Sequence, residues 1–181
     1  MLQNTEATYG SLSKFFHWLI FFLVSVMLLV GFFMDDLPES MQPMVYMMHK
    51  STGLLILGLM ILRLLWRWTN KTPEFPSTMG RLQKIGAKVV HALLYIILLL
   101  MPLDGWIMST AAGRIPTFYG LVTLPFPGIE HNHALAHQLA ELHGILAYAL
   151  LALLVLHILA AFKHHFINKD NILTRMMPGK N

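Results

Sequence analysis

The stretch LHGILAYALLALLVLHILAAF, residues 142–162, decides what kind of protein this is. Its 21 residues contain no lysine, arginine, aspartate or glutamate. At 1.5 Å per residue they are long enough to cross the roughly 30 Å hydrocarbon core of a bilayer. Two imidazoles interrupt the apolar run, His143 near its start and His157 near its end. At 100° per residue this fourteen-residue interval leaves them about 40° apart in azimuth and about 21 Å apart along the axis. One face of one helix therefore presents a histidine twice, once near each surface of the membrane core.

The rest of the chain repeats the pattern. Phe15 to Met34 is another stretch without a charge, and two further segments lie between, one broken by Arg63 and Arg67 and the other by Asp104. Composition agrees: 181 residues, 56% hydrophobic, mean hydropathy +0.59 and only 12% charged, against about a quarter charged in a soluble domain. The expected fold class is all-α, an integral membrane four-helix bundle forming a single transmembrane domain over 1–181. Its helices are expected at about 12–34, 44–68, 82–112 and 134–165. The first segment is too long for a signal-peptide core and has no small-residue cleavage site before Asp35 and Asp36, so it is expected to remain as helix one. Gly113 to Asn132, with Pro116, Pro125, Pro127, Gly120 and Gly128, is the longest non-helical run and is expected to cap the bundle.

Charge orients the bundle. Four spans put both termini and the second connection on one side, which collects Lys14, Arg63, Arg67, Lys71, Arg81, Lys84, Lys88, Lys163, Lys169, Arg175 and Lys180. Only Lys50 and Arg114 lie on the other side, against Asp35, Asp36, Glu39, Asp104, Glu130 and Glu141. The positive-inside rule then places both termini in the cytoplasm. The pI near 9.5 reflects this topology and contact with anionic membrane lipid rather than nucleic acid.

The sequence has no cysteine, which excludes iron–sulfur clusters, c-type haem attachment, thiolate zinc and disulfides. Five of the ten histidines fall inside the spans: His17, His49, His91, His143 and His157. Ionisable groups at that depth mark functional sites. Two haems of b type fit the spacing, because bis-imidazole iron takes one histidine from each of two facing helices. Depth pairs His143 with His49 at the outer level, whereas His157 has both His17 and His91 as candidate partners at the inner level. Arg63, fourteen residues after His49, either faces the inner haem as a propionate cation or snorkels to the head groups. Gly53 and Gly144 would admit a flat macrocycle. In the loop, His131, His133 and His137 with Glu130 and Glu141 form either a zinc or copper site or a solvated polar stretch.

The ordered set Phe16-His17-Trp18, Met48-His49-Lys50-Ser51-Thr52-Gly53, Arg63 with Trp66-Arg67, His91 with Tyr95 and Pro102, Leu142-His143-Gly144, Leu156-His157 and the C-terminal His164-His165-Phe166 resembles the bacterial cytochrome b561 family. The likeness covers nearly the whole length. It implies that His17 rather than His91 pairs with His157, and that His91 with His164 or His165 contacts ubiquinone near the inner haem. It also implies superoxide oxidase activity, with superoxide giving electrons at the outer face, where Lys50 and Arg114 would attract the anion. The alternative is a non-enzymatic electron-transfer subunit served by a periplasmic dehydrogenase or another redox partner. A structural or metal-transport protein would leave the intramembrane histidines without a purpose.

Overall fold

The computed structural model describes residues 1–179. Lys180, counted above among the basic residues, lies outside them. Four long helices carry the fold: α1 (Ser11–Phe33), α2 (Gln42–Thr69), α3 (Arg81–Ala111) and α4 (His133–Phe162). All four are long and apolar enough to cross a membrane.

The helix ends follow from local chemistry. Pro43 stands in the first turn of α2, where its missing amide costs nothing. The Asn132 side chain accepts from the amide of Leu135 at 3.0 Å and caps α4. The Gln83 side chain accepts from the Gly80 amide at 3.3 Å at the start of α3. Gly113, at φ +69°, supplies the left-handed residue that closes α3. Beyond α4 the chain widens into a π-helical turn, Lys163–Ile167, and a short 3₁₀ turn follows at Thr174–Met176.

Consecutive helices pack closely, α1 on α2, α2 on α3 and α3 on α4. On α1 the buried stripe is Phe16, Ile20, Val24 and Leu28, spaced by four as one helix face requires. The opposite face exposes Phe15, Phe22, Val26, Leu29 and Phe33, large apolar side chains that suit lipid rather than water. Ile56 and Met60 of α2, Leu94, Ile97 and Leu98 of α3, and Leu150 of α4 complete a central apolar layer.

Each end of the bundle is closed by connections. At the end called inner here, the Asn4 side chain donates to the Lys71 carbonyl at 2.8 Å, and the Glu74 amide donates to the Glu6 carbonyl at 3.1 Å. Thr8 and Trp18 donate to the carbonyls of Arg175 and Met176. Both termini and the connection between α2 and α3 are thus tied together, as an even number of spans requires. At the outer end, the loop expected to be irregular contains a minimal hairpin, Thr117–Phe118 (β1) against Val122–Thr123 (β2), turned by Tyr119 and Gly120 at positive φ. The Pro and Gly content predicts the turns, whereas two-residue strands are too short to leave a periodic signal.

Candidate cofactor site

The bundle encloses two cavities, one above the other. The outer one is about 1030 Å³ and the inner about 460 Å³, both in the range of small-molecule and cofactor sites. Val24 and Leu98 line both and mark the layer between them.

The histidines divide between these spaces. His49 from α2 and His143 from α4 line the outer cavity, together with Lys50, Arg114, Gly53 and Gly144. His17 from α1, His91 from α3 and His157 from α4 line the inner cavity with Arg63. The fourteen-residue interval on α4 therefore serves two separate chambers. His164 and His165, grouped with His91 from the sequence, line neither cavity. His164 is buried, and its Nδ1 lies 2.5 Å from the Asp170 carboxylate and 3.1 Å from the Asn168 amide. It fastens the C-terminal tail, and the tail residues Ile172, Leu173 and Met176 reach the inner cavity in its place.

The outer chamber is built around its imidazoles. His143 Nδ1 lies 3.0 Å from Oδ2 of Asp104. A Cβ on Gly105 would stand 3.1 Å from His143 Cε1, and one on Gly31 would stand 3.3 Å from His49 Cε1. Both glycines make room for a ring from a neighbouring helix. Nothing lies within 4 Å of a Cβ placed on Gly144, so the backbone beside His143 is open. Residues 50–52 anchor the loop that covers this chamber. Lys50 Nζ donates to the Arg114 carbonyl at 2.9 Å, and the fully buried Ser51 hydroxyl accepts from the Tyr119 amide at 2.9 Å. The Thr52 hydroxyl meets the Tyr119 hydroxyl at 3.1 Å. Trp106 adds a bond to the Leu124 carbonyl at 2.8 Å.

The inner chamber is built from cations and aromatics. Arg63 faces the bundle rather than the head groups: its guanidinium lies 3.1 Å from His17 Nδ1 and over the Tyr95 ring. Arg67 stacks on the same ring. Tyr9 lines the lower edge, where burial, opposed by Arg67, pushes its phenol above the usual range and keeps it a neutral hydrogen-bonding group. The ring centres of His17 and His157 are 6.2 Å apart, and those of His91 and His157 are 5.2 Å apart.

The loop histidines do not assemble into a metal site. His131 Nε2 meets His133 Nε2 at 3.0 Å, and His137 lies 3.8 Å from Glu141. No group of three or more metal-capable side chains forms among the described residues.

The profile of the prokaryotic cytochrome b561 family matches residues 8–179. The chain belongs to that family. It is similar to "Cytochrome b561 homolog 2" of Escherichia coli (strain K12), at 32% identity over 96% of this chain and 93% of that protein. It is also similar to "Probable superoxide oxidase CybB" of Yersinia pestis, at 34% identity over 95% of this chain and 97% of that one. A third relative, "Cytochrome b561 homolog 1" of the same E. coli strain, is 29% identical over 92% of this chain.

Membership makes this a multi-pass membrane electron-transfer protein and implies b-type haem. The residues present fit that cofactor. The chambers offer imidazoles among largely apolar walls, glycine backbone set against two of the outer rings, and one buried imidazole nitrogen, Nδ1 of His49, without a hydrogen-bond partner. The chain lacks cysteine, and although methionines such as Met27, Met47 and Met101 line the outer cavity, each chamber offers more than one imidazole.

Proposed function

We propose that this cytochrome b561 carries two b haems and moves electrons from a donor at the outer face to ubiquinone near the inner face, with superoxide as the donor. The observation that carries the reading is the stacking of two separate histidine-lined cavities along one bundle. His49 and His143 hold the outer haem, and His17 and His157 the inner. A metal held between two imidazoles would need room for two bonds of about 2 Å each, which ring centres roughly 6 Å apart would leave. The 6.2 Å separation of His17 and His157 suits that requirement better than the 5.2 Å of His91 and His157. Haem, when bound, supplies one-electron redox chemistry.

The chain's own residues do the rest. Arg63, freed from His17, is positioned to meet an anionic propionate, with Arg67 one turn further along α2. His91 and Tyr95, polar groups on the inner wall, are the contacts assigned to the quinone head group. His164 keeps the tail in place and is a positioning residue, and His165, packed edge-on to Phe166, stands beside that tail. Lys50 and Arg114 line the outer cavity and draw an anion toward it through a local field. The net reaction takes two superoxide anions, one ubiquinone and two protons to two dioxygen molecules and one ubiquinol. Among the described residues, ten of the twelve lysines and arginines lie toward the inner end, all but Lys50 and Arg114, which supports cytoplasmic termini in a bacterial inner membrane.

The test supplies superoxide and a soluble ubiquinone to the purified chain with its haems. Quinone-dependent release of dioxygen is expected. Intact low-spin haem without that release would instead favour an electron-transfer subunit served by a protein donor, a reading for which the acidic outer residues Asp35, Asp36, Glu130 and Glu141 speak.

A further inference from the structure

Asp104 is the one buried carboxylate among the described residues, only 6% exposed in the outer third of a membrane-spanning helix. A carboxylate at that depth is costly and is kept for a purpose. One of its oxygens meets His143 Nδ1 at 3.0 Å, while the other, Oδ1, is buried without a partner. No lysine or arginine pairs with it among the described residues. Gly105, the next residue along α3, provides the space into which the His143 ring fits. The arrangement joins a carboxylate, an imidazole and an open cavity in that order.

We infer that Asp104 is a positioning residue for His143 and sets the redox poise of the outer site. This rests on the reading that His143 ligates a haem there. The carboxylate accepts the Nδ1 hydrogen, fixing the tautomer whose Nε2 lone pair is free for a metal. It also lends negative charge to the ring and so raises the basicity of the ligating nitrogen. The same buried charge, lacking a cation, favours the oxidised and more positive state of iron bound through His143. Asp104 therefore lowers the outer potential relative to a neutral partner in the same place. Lys50 and Arg114, also on the outer cavity, act in the opposite sense, but Lys50 is engaged with a loop carbonyl. Neither approaches the carboxylate within ion-pair distance.

The test is a potentiometric titration of the whole purified chain, with the outer haem identified as the one lost in His143→Ala. Asp104→Asn keeps an oxygen that accepts from Nδ1 but removes the charge. The outer potential is expected to rise, by about 59 mV for each tenfold loss of preference for the oxidised state, while the inner potential stays put. Two haems with unmoved potentials, or with both moved equally, would overturn the inference. If Asp104→Asn loses the outer haem, Asp104→Glu decides. Recovery of that haem near its parental potential supports the assignment, and failure to recover it shows a purely structural role. A parent chain with a single haem, or an outer haem that survives His143→Ala, breaks the underlying haem reading instead.

Discussion

The two cavities have the same kind of donor but are prepared for it differently. In the outer one, the group behind His143 is a carboxylate: Asp104 Oδ2 lies 3.0 Å from Nδ1, and an ionised carboxylate can only accept. In the inner one, the group on His17 is a donor. An arginine has no acceptor atom, so the 3.1 Å contact from Arg63 makes His17 Nδ1 the acceptor and puts the ring hydrogen on Nε2. Ligation through Nε2 needs the opposite tautomer, with Arg63 turned to another acceptor. On the proposed haem assignment, the outer site would be pre-organised, whereas the inner site would couple ligand binding to the release of a cation. The difference teaches that identical residues at identical helical spacing do not make identical sites. The charge on the residue behind the imidazole decides which nitrogen is offered.

The sharpest way to break the comparison is to delete one ligand at a time. His143→Ala and His157→Ala should each lower haem content from two per chain to one, measured by pyridine haemochrome against protein. The remaining haem should keep its own potential. Loss of both haems in either variant would mean that the cavities are not independent. Replacing His91 with alanine should leave both haems bound, since the 6.2 Å pair is formed by His17 and His157. A one-haem His91→Ala protein would move the inner ligand from α1 to α3.

Steric preparation gives the next largest effect. A valine at 105 would drive its side chain into the His143 ring, which already stands 3.1 Å from where the first added carbon would lie. Gly105→Val should therefore lose the outer haem and retain the inner. Gly31→Ala, with 3.3 Å to His49, requires a shift of only a few tenths of an ångström and should weaken outer binding without abolishing it. Gly58, where an added Cβ meets nothing within 4 Å and which lines neither cavity, is the control. Its alanine variant should match the parent in haem content and spectrum.

Much of this was legible in the sequence because the decisive relations lie within single helices. Hydropathy sets four spans, and the helical period places His143 and His157 on one face without any knowledge of the neighbours. Their assignment to two levels follows, as does Arg63 at the inner level. The pairing of Asp104 with His143 was not legible. Those residues are 39 apart on different helices, and their meeting depends on the register between α3 and α4, which no single-helix period encodes. Asp104 had a visible signal, as the one acid within the third span, but its partner did not. The fit of Gly31 against His49 is hidden for the same reason. The sequence groups His164 with His91, whereas the π-helical turn and the Asp170 side chain turn His164 into the tail. Such local winding is not set by apolar periodicity.

Charge offers a smaller test, opposite in sign at the two sites. Arg63→Gln removes a cation from the inner cavity and should lower the inner potential, leaving the outer one unmoved. A unit charge about 8 Å away is worth on the order of 2 kcal/mol at an effective dielectric of 20, or roughly 90 mV for one electron. Arg63→Lys should restore part of the shift, since a point charge replaces the charge but not the fork of donors. Equal movement of both potentials would show that the central layer around Val24 and Leu98 does not insulate one site from the other.

The smallest effect is expected where the inner chamber is closed by the tail rather than by the helices. Asp170 accepts from His164 Nδ1 at 2.5 Å and from the Ile172 amide at 3.1 Å, holding Ile172, Leu173 and Met176 over the cavity. A hydrogen bond to a charged group contributes about 1.5–3 kcal/mol, so Asp170→Ala should raise the open population of the tail roughly tenfold or more. Brief trypsin treatment reads this directly, since Lys169 and Arg175 flank the segment and cleavage follows the open fraction when reclosing is fast. Haem content and both potentials should be unchanged, because neither inner ligand belongs to the tail. The outer loop, pinned by the fully buried Ser51 and by Trp106, should stay as resistant as in the parent. A variant that instead loses the inner haem would mean that the tail is part of that site, and the contrast between a helix-built outer chamber and a clasped inner one would have to be redrawn around residues 164–176.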